Sequence, residues 1–154
     1  FVKTSGFKPY LFAVAMWIVG LSVLMFWVQA LVWFGVDSLI PPDTAKQVLN
    51  EADGNIVVTI VLVGILGPMA EEIFFRGFVL PGLVKKFGII WALVISSVVF
   101  GLFHIDLGAI VPTFALGLAL GWVYLKTGSI WPAMFAHGLH NTVAVLIAKY
   151  VTIS

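Results

Sequence analysis

A chain of 154 residues that is 62% hydrophobic and only 10% charged, with a mean hydropathy of +1.15, is far more apolar than a soluble domain, where about half the residues are apolar and about a quarter charged. Its net charge of +1, with no basic stripe, gives a nucleic acid nothing to bind, and the absence of cysteine removes disulfides, thiol nucleophiles and thiolate metal ligands. The expectation is an all-α polytopic membrane helix bundle of about five spans, one domain over residues 1–154, integral and multi-pass, with lipid around it.

The chain opens on Phe1 rather than Met, as a processed or partial product would. The first apolar run, Tyr10–Phe34, follows Lys3 and Lys8. At about 1.5 Å per residue it crosses a ~30 Å core with tilt to spare and exceeds a cleavable signal, so it is predicted as a retained span. Asp37–Asn55 is the long polar stretch. Pro41-Pro42 stops any helix, and Thr44 followed by Gln47 reads as a capping box for a short surface helix over Ala45–Ala52. Residues 1–55 thus form a first span and a polar loop, and 56–148 form the core. The second span, Ile56–Val84, is long enough to bend, with Gly67-Pro68 the expected place. Lys85-Lys86 closes it. Gly88–His104 is the third span, Gly108 or Ala109 to Leu125 the fourth, and Ile130–Ala148 the fifth. The runs are too long for strands and lack the alternation of a membrane barrel.

Lys3/Lys8, Lys85/Lys86 and Lys126 fall on one side of such a bundle. The positive-inside tendency makes that side cytoplasmic and leaves the acidic 37–55 loop outside. Gly117 and Gly121 form a small-xxx-small pair suited to close helix packing. Trp17, Trp27, Trp33, Trp91, Trp122 and Trp131 read as interfacial anchors and lipid-facing bulk rather than a ligand cage.

The ionisable residues within or beside the spans are Glu71, Glu72, Arg76, His104, His137 and His140, with Asp106 as a loop acid or helix cap. One charge at mid-bilayer costs about 2.5–3.5 kcal/mol on insertion scales, so such residues are expected to face one another inside the bundle. Glu72 and Arg76 are i,i+4 and can pair, while Glu71, about 100° around, can point to a different neighbour. His137 and Asn141 share one stripe, as do Phe100 and His104. His140 lies off the 137/141 stripe. Counting in puts Glu72 at roughly 20 Å from Lys85-Lys86 and His104 at roughly 24 Å from Gly88, but His137 at only about 13 Å from Gly128. The fifth span must therefore tilt or start deeper for the groups to meet.

If they meet, they are a kit for activating water: a buried carboxylate as general base and imidazole or carboxamide donors for an oxyanion. Two histidines and a glutamate (Glu71, His104, His137) would alternatively hold zinc from separate helices, since the compact HExxH spacing is absent. There is no GxSxG elbow, and Ser96 and Ser97 give a serine–histidine pair only weak support. A structural reading stands beside each: an ion pair, a satisfied core histidine, interhelical glue.

The segments EEIFFR (Glu71, Glu72, Arg76), FGLFH (Phe100, His104) and HGLHN (His137, Asn141) resemble, in order and spacing, the motifs EExxxR, FxxxH and HxxxN of the CPBP family. That family comprises CAAX proteases and bacteriocin-processing enzymes, also called Abi or type II CAAX prenyl endopeptidases. RGFVLPGLVKKFG and LKTGSIWPAMFAH also resemble its bacterial members, and the resemblance covers about residues 56–148. It implies an intramembrane endopeptidase acting on membrane-associated or lipidated peptides in a bacterial membrane or an organelle membrane of bacterial descent. On that implication Glu71 activates water with His104, His137 and Asn141 form the oxyanion site, and Glu72, Arg76 and Phe100 support the geometry. No cofactor is required on the glutamate mechanism, and zinc stays open. Spans before the core are fewer than in prenyl-protein-processing members, so bacteriocin maturation, self-immunity and processing of small membrane peptides are equal expectations. The alternatives are a non-proteolytic scaffold or assembly subunit of a larger membrane complex, and a proton or ion pathway. The latter is disfavoured by the lack of an inverted repeat.

Overall fold

The computed structural model describes residues 6–151, so Lys3 lies outside the described residues. Five helices make up the architecture: α1 (Lys8–Phe34), α2 (Thr44–Glu51), α3 (Ile56–Phe103), α4 (Leu107–Thr127) and α5 (Ile130–Tyr150). Four of them, all but α2, are long and apolar enough to cross a membrane. No strand occurs among the described residues. Large side chains such as Phe26, Trp33, Phe78 and Ile90 face outward, as they must where the surrounding solvent is lipid and outward apolar surface costs nothing.

The 48-residue α3 contains the second and third predicted spans. It is broken at Gly88, whose φ of 76° and ψ of 172° belong to a region that only glycine occupies readily. In a straight helix residues 75 and 100 would be roughly 37 Å apart. Instead the Phe75 ring stands edge-on to Phe100 at 5.0 Å and to Phe103 at 5.8 Å. α3 is therefore a hairpin of two antiparallel arms, and Gly88 is its tip.

α4 packs along the second arm of this hairpin. A Cβ on Gly117 would come within 3.2 Å of Ser97, and one on Gly121 within 2.5 Å of Leu93, so the predicted small-residue seam lies inside the bundle. α1 closes the other side, with Ala13 set among Leu116, Leu120, Val123, Ala133 and Ala136. α5 crosses the first arm closely: a Cβ on Gly138 would lie 2.7 Å from the Gly64 carbonyl oxygen. The fifth span does meet the first arm, with His137 against Glu71 and Glu72. Ser129 and Ile130, at the head of α5, are 0% and 2% exposed.

Helix ends follow local chemistry, with one correction. Asp43, not Thr44, caps α2: its carboxylate accepts from the Lys46 amide at 2.9 Å, and the helix begins at Thr44. A carboxylate reaches the free amides of a first turn and is favoured there by their partial positive charge. Asp106 caps α4 through the Ala109 amide. The loop before α2 lies over the start of α4, where Gly108 lets the Ile40 carbonyl come close.

Gly88→Ala should strain the hairpin tip by about 1–3 kcal/mol. Thermal unfolding in detergent should show a lowered Tm. Gly20→Ala, with open space around it, should leave the Tm unchanged or raise it slightly.

Candidate functional site

The first arm of α3 carries the carboxylates, and its backbone is not uniformly α-helical. Wider π turns run over Ile60–Leu66 and Phe75–Val79. This widening runs up to the Gly67-Pro68 position: Gly67 stays helical, and its N–H reaches back to the Leu62 carbonyl. In that register the Val63 carbonyl would be served by the N–H of residue 68, and proline has none. The Asn141 amide fills the gap, donating to Val63 O at 2.9 Å. Asn141 is thereby fixed between α5 and the first arm, with one amide hydrogen left.

Glu72 and Arg76 form a fully buried pair, Nη1 to Oε1 at 2.9 Å. The same carboxylate oxygen lies 2.9 Å from His137 Nδ1, and Arg76 donates from Nη2 to the Gly117 carbonyl at 3.0 Å. One ion pair thus joins the first arm, α4 and α5. Phe100 seals it: the guanidinium sits 4.7 Å from the Phe100 ring centroid, and His104 and His137 meet the same ring edge-on at 5.0 and 5.8 Å.

Glu71 points elsewhere. Its Oε2 is 3.8 Å from His137 Nε2, beyond hydrogen-bond range, and that oxygen, though buried, has no hydrogen-bond partner among the described residues. His104 closes the second arm and bonds through Nδ1 to the Phe100 carbonyl at 2.9 Å. A carbonyl only accepts, so Nδ1 carries the proton and the neutral ring keeps its lone pair on Nε2. Ile105, directly after it, is a β-branched residue at φ 63°, a strained conformation of the kind that clusters at functional sites.

Glu71, His104, His137, His140 and Asn141 line one cavity of about 480 Å³, whose wall also includes Pro41, Pro42, Asp43 and Thr44 of the polar loop. The sequence-selected residues thus divide into two sets. Glu71, His104, His137 and Asn141 share the cavity, while Glu72, Arg76 and Phe100 lie in the packed wall behind it. His140, off the predicted stripe, nevertheless lines the cavity and accepts from the Trp17 indole at 3.2 Å. Trp17, half-buried, thus has a polar partner within the bundle. Its spacing from His140 across the chain left no local signal, although the His140–Asn141 adjacency on one helix was visible. Ser97 spends its hydroxyl on the Leu93 carbonyl, which gives the serine–histidine pair no support. Among the described residues, no three His, Asp or Glu side chains are grouped so as to hold one metal ion.

Residues 53–143 match the family of type II CAAX prenyl endopeptidases described as Rce1-like. Over 88 residues the chain is 38% identical to a protein of Bacillus subtilis (strain 168) named "Putative membrane peptidase YdiL". That stretch is 57% of this chain and 36% of the relative, so the match spans about a third of the relative's length. No solved structure matches the chain.

Arg76→Met should cost about 3–5 kcal/mol by leaving Glu72 as an unpaired buried charge. The yield of folded, monodisperse protein should collapse. Adding Glu72→Met to that variant should recover much of the loss, and paired size-exclusion and thermal-unfolding runs measure both effects.

Proposed function

The chain belongs to the Rce1-like family of type II CAAX prenyl endopeptidases, and from that premise we propose that it is an intramembrane endopeptidase in which Glu71 activates water against the peptide bonds of membrane-associated or lipidated peptides. With its four apolar helices it is a multi-pass integral membrane protein. The observation that carries the proposal is the pairing of two adjacent carboxylates with opposite surroundings. One oxygen of Glu72 is bonded to both Arg76 and His137 in the packed wall, whereas Glu71 makes no hydrogen bond to any described residue and lines the cavity.

In this reading Glu71 takes a proton from a water molecule as the water oxygen bonds to the scissile carbonyl carbon. The carbonyl π pair moves to oxygen, giving a tetrahedral oxyanion. Collapse re-forms the carbonyl, breaks the C–N bond, and the proton passes from Glu71 to the leaving nitrogen. His104, with its lone pair on Nε2, orients the water. His137 steadies Glu71 from 3.8 Å. Asn141, with one amide hydrogen beyond that given to Val63, faces the developing oxyanion. A semi-dry cavity strengthens each of these interactions relative to water. The loop of Pro41, Pro42 and Asp43 at the cavity wall favours substrates approaching from the side that the positive-inside tendency makes extracytoplasmic.

The test uses purified protein in liposomes with a quenched farnesylated CAAX peptide and, separately, an unlipidated single-span peptide. Glu71→Gln should lower cleavage by at least about 10³-fold, a contribution of general-base size, with the Tm retained. His104→Ala should do the same. EDTA should leave the wild-type rate unchanged. A scaffold that uses the cluster only as glue would show no cleavage by any form, and its substitutions would lower folded yield instead.

A further inference from the structure

The three histidines of this chain do not present the same chemistry to the cavity. His104 gives its Nδ1 proton to the Phe100 carbonyl, so Nε2 of the neutral ring carries a lone pair. His137 turns both ring nitrogens toward carboxylate oxygens, Nδ1 to Glu72 and Nε2 to Glu71. His140 is the opposite of His104. An indole N–H can only donate, so the 3.2 Å contact from Trp17 Nε1 to His140 Nδ1 requires a lone pair on Nδ1. The neutral ring then carries its proton on Nε2, and no described residue takes a hydrogen bond from that nitrogen. His140 lines the same cavity as Glu71, His104 and Asn141.

We propose that Trp17 locks His140 as an Nε2–H tautomer and that this N–H donates to the tetrahedral oxyanion formed at Glu71, which makes His140 a catalytic residue and Trp17 its positioning residue. The inference rests on the peptidase reading. Of the other donors around the cavity, Arg76 is committed to Glu72 and Gly117, His137 faces carboxylates on both sides, and Asn141 has already given one amide hydrogen to Val63. Among the histidine, asparagine and arginine donors, the uncharged His140 N–H is the one least committed elsewhere. Its partner comes from α1, outside the residues 53–143 that match the family. The helix preceding the family core therefore has a role in the chemistry besides anchoring the chain. Trp17 is half-buried and packs on the cluster around Ala13, so the indole is held by contacts on its ring as well as by the bond.

Two readouts test this. The first needs no substrate. In nitrogen NMR of ring-labelled histidine, His140 should show the Nε2–H tautomer in the wild type and a mixed or reversed pattern in Trp17→Phe. A wild-type ring protonated at Nδ1 overturns the proposal. The second is turnover of the quenched farnesylated CAAX peptide and of the unlipidated single-span peptide in liposomes. His140→Leu should lower kcat about 100-fold with KM nearly unchanged, the signature of a donor that acts only in the transition state. His140→Gln, which keeps an N–H near the Nε2 position and needs no tautomer lock, should recover most of it. Trp17→Phe should lower kcat about tenfold in the wild type and have no effect in the His140→Gln background, in line with a coupled pair. Equal kcat in wild type and His140→Leu, or the same loss from Trp17→Phe in both backgrounds, overturns it. If wild type and Glu71→Gln cleave alike, or neither cleaves, the peptidase reading fails and the catalytic role of His140 falls with it. If Glu71→Gln is inert but His140→Leu is fully active, only the present inference fails.

Discussion

The Glu72–Arg76 ion pair is the constraint on which the rest of the bundle depends. A guanidinium and a carboxylate, both out of reach of water, are costly unless their lone pairs and protons find partners. Elements far apart in sequence supply part of that need: His137 from α5 bonds to one carboxylate oxygen, and the Gly117 carbonyl of α4 takes a second guanidinium proton, while Glu72 Oε2 and Arg76 Nε stay unpartnered among the described residues. Gly117 is also where α4 comes closest to Ser97, so the small residue that permits packing also presents the backbone oxygen the cation needs. Phe100 then covers the guanidinium with a ring face, which favours the cation while excluding water. With that unit fixed, the orientation of the adjacent Glu71 is fixed as well, about 100° around the helix, toward the cavity and not toward lipid.

Two neighbouring carboxylates with different surroundings divide structural from chemical work. Glu72 is satisfied on one oxygen by two cationic or protic partners and belongs to the wall. Glu71 is held close to His137 without being bonded to it. The strained Ile105 and the hydrogen-bonded turn after His104 hold the second arm's histidine at the same cavity. The family match, residues 53–143, takes in every one of these groups, whereas the Trp17 contact and most of the polar loop at the cavity wall come from outside it.

Much of this was legible in the sequence, for physical reasons. Long apolar runs admit only helices in lipid, so the spans followed from composition and from the lysines, glycines and prolines between them. The i,i+4 spacing of Glu72 and Arg76 gave their pairing. The spacing of Phe100 and His104 put both on one face, and the cost of unpaired charge in a bilayer argued that the clusters meet. The shortfall of several ångströms in the depth of His137 was also readable, and the helices nevertheless bring His137 against both glutamates. Other features were not encoded locally. Widening of the first arm into π turns depends on which carbonyls find distant donors. Asp43 outcompetes Thr44 as the cap of α2 because of how the loop enters the helix. Trp17 is apolar in composition and polar only at one atom, so nothing short of the tertiary arrangement could distinguish it from the other five tryptophans.

The bond from Asn141 to Val63 ties together the identities of two positions on different helices. Pro68 removes the amide that would serve Val63, and Asn141 supplies the substitute from another helix. Replacing Asn141 with an apolar residue strands a carbonyl in a hydrocarbon setting. Replacing Pro68 with a residue that has its own amide removes the need for the carboxamide and frees its second lobe to turn away. Across a lineage the two sites are therefore expected to drift in concert, a dependence set by backbone accounting.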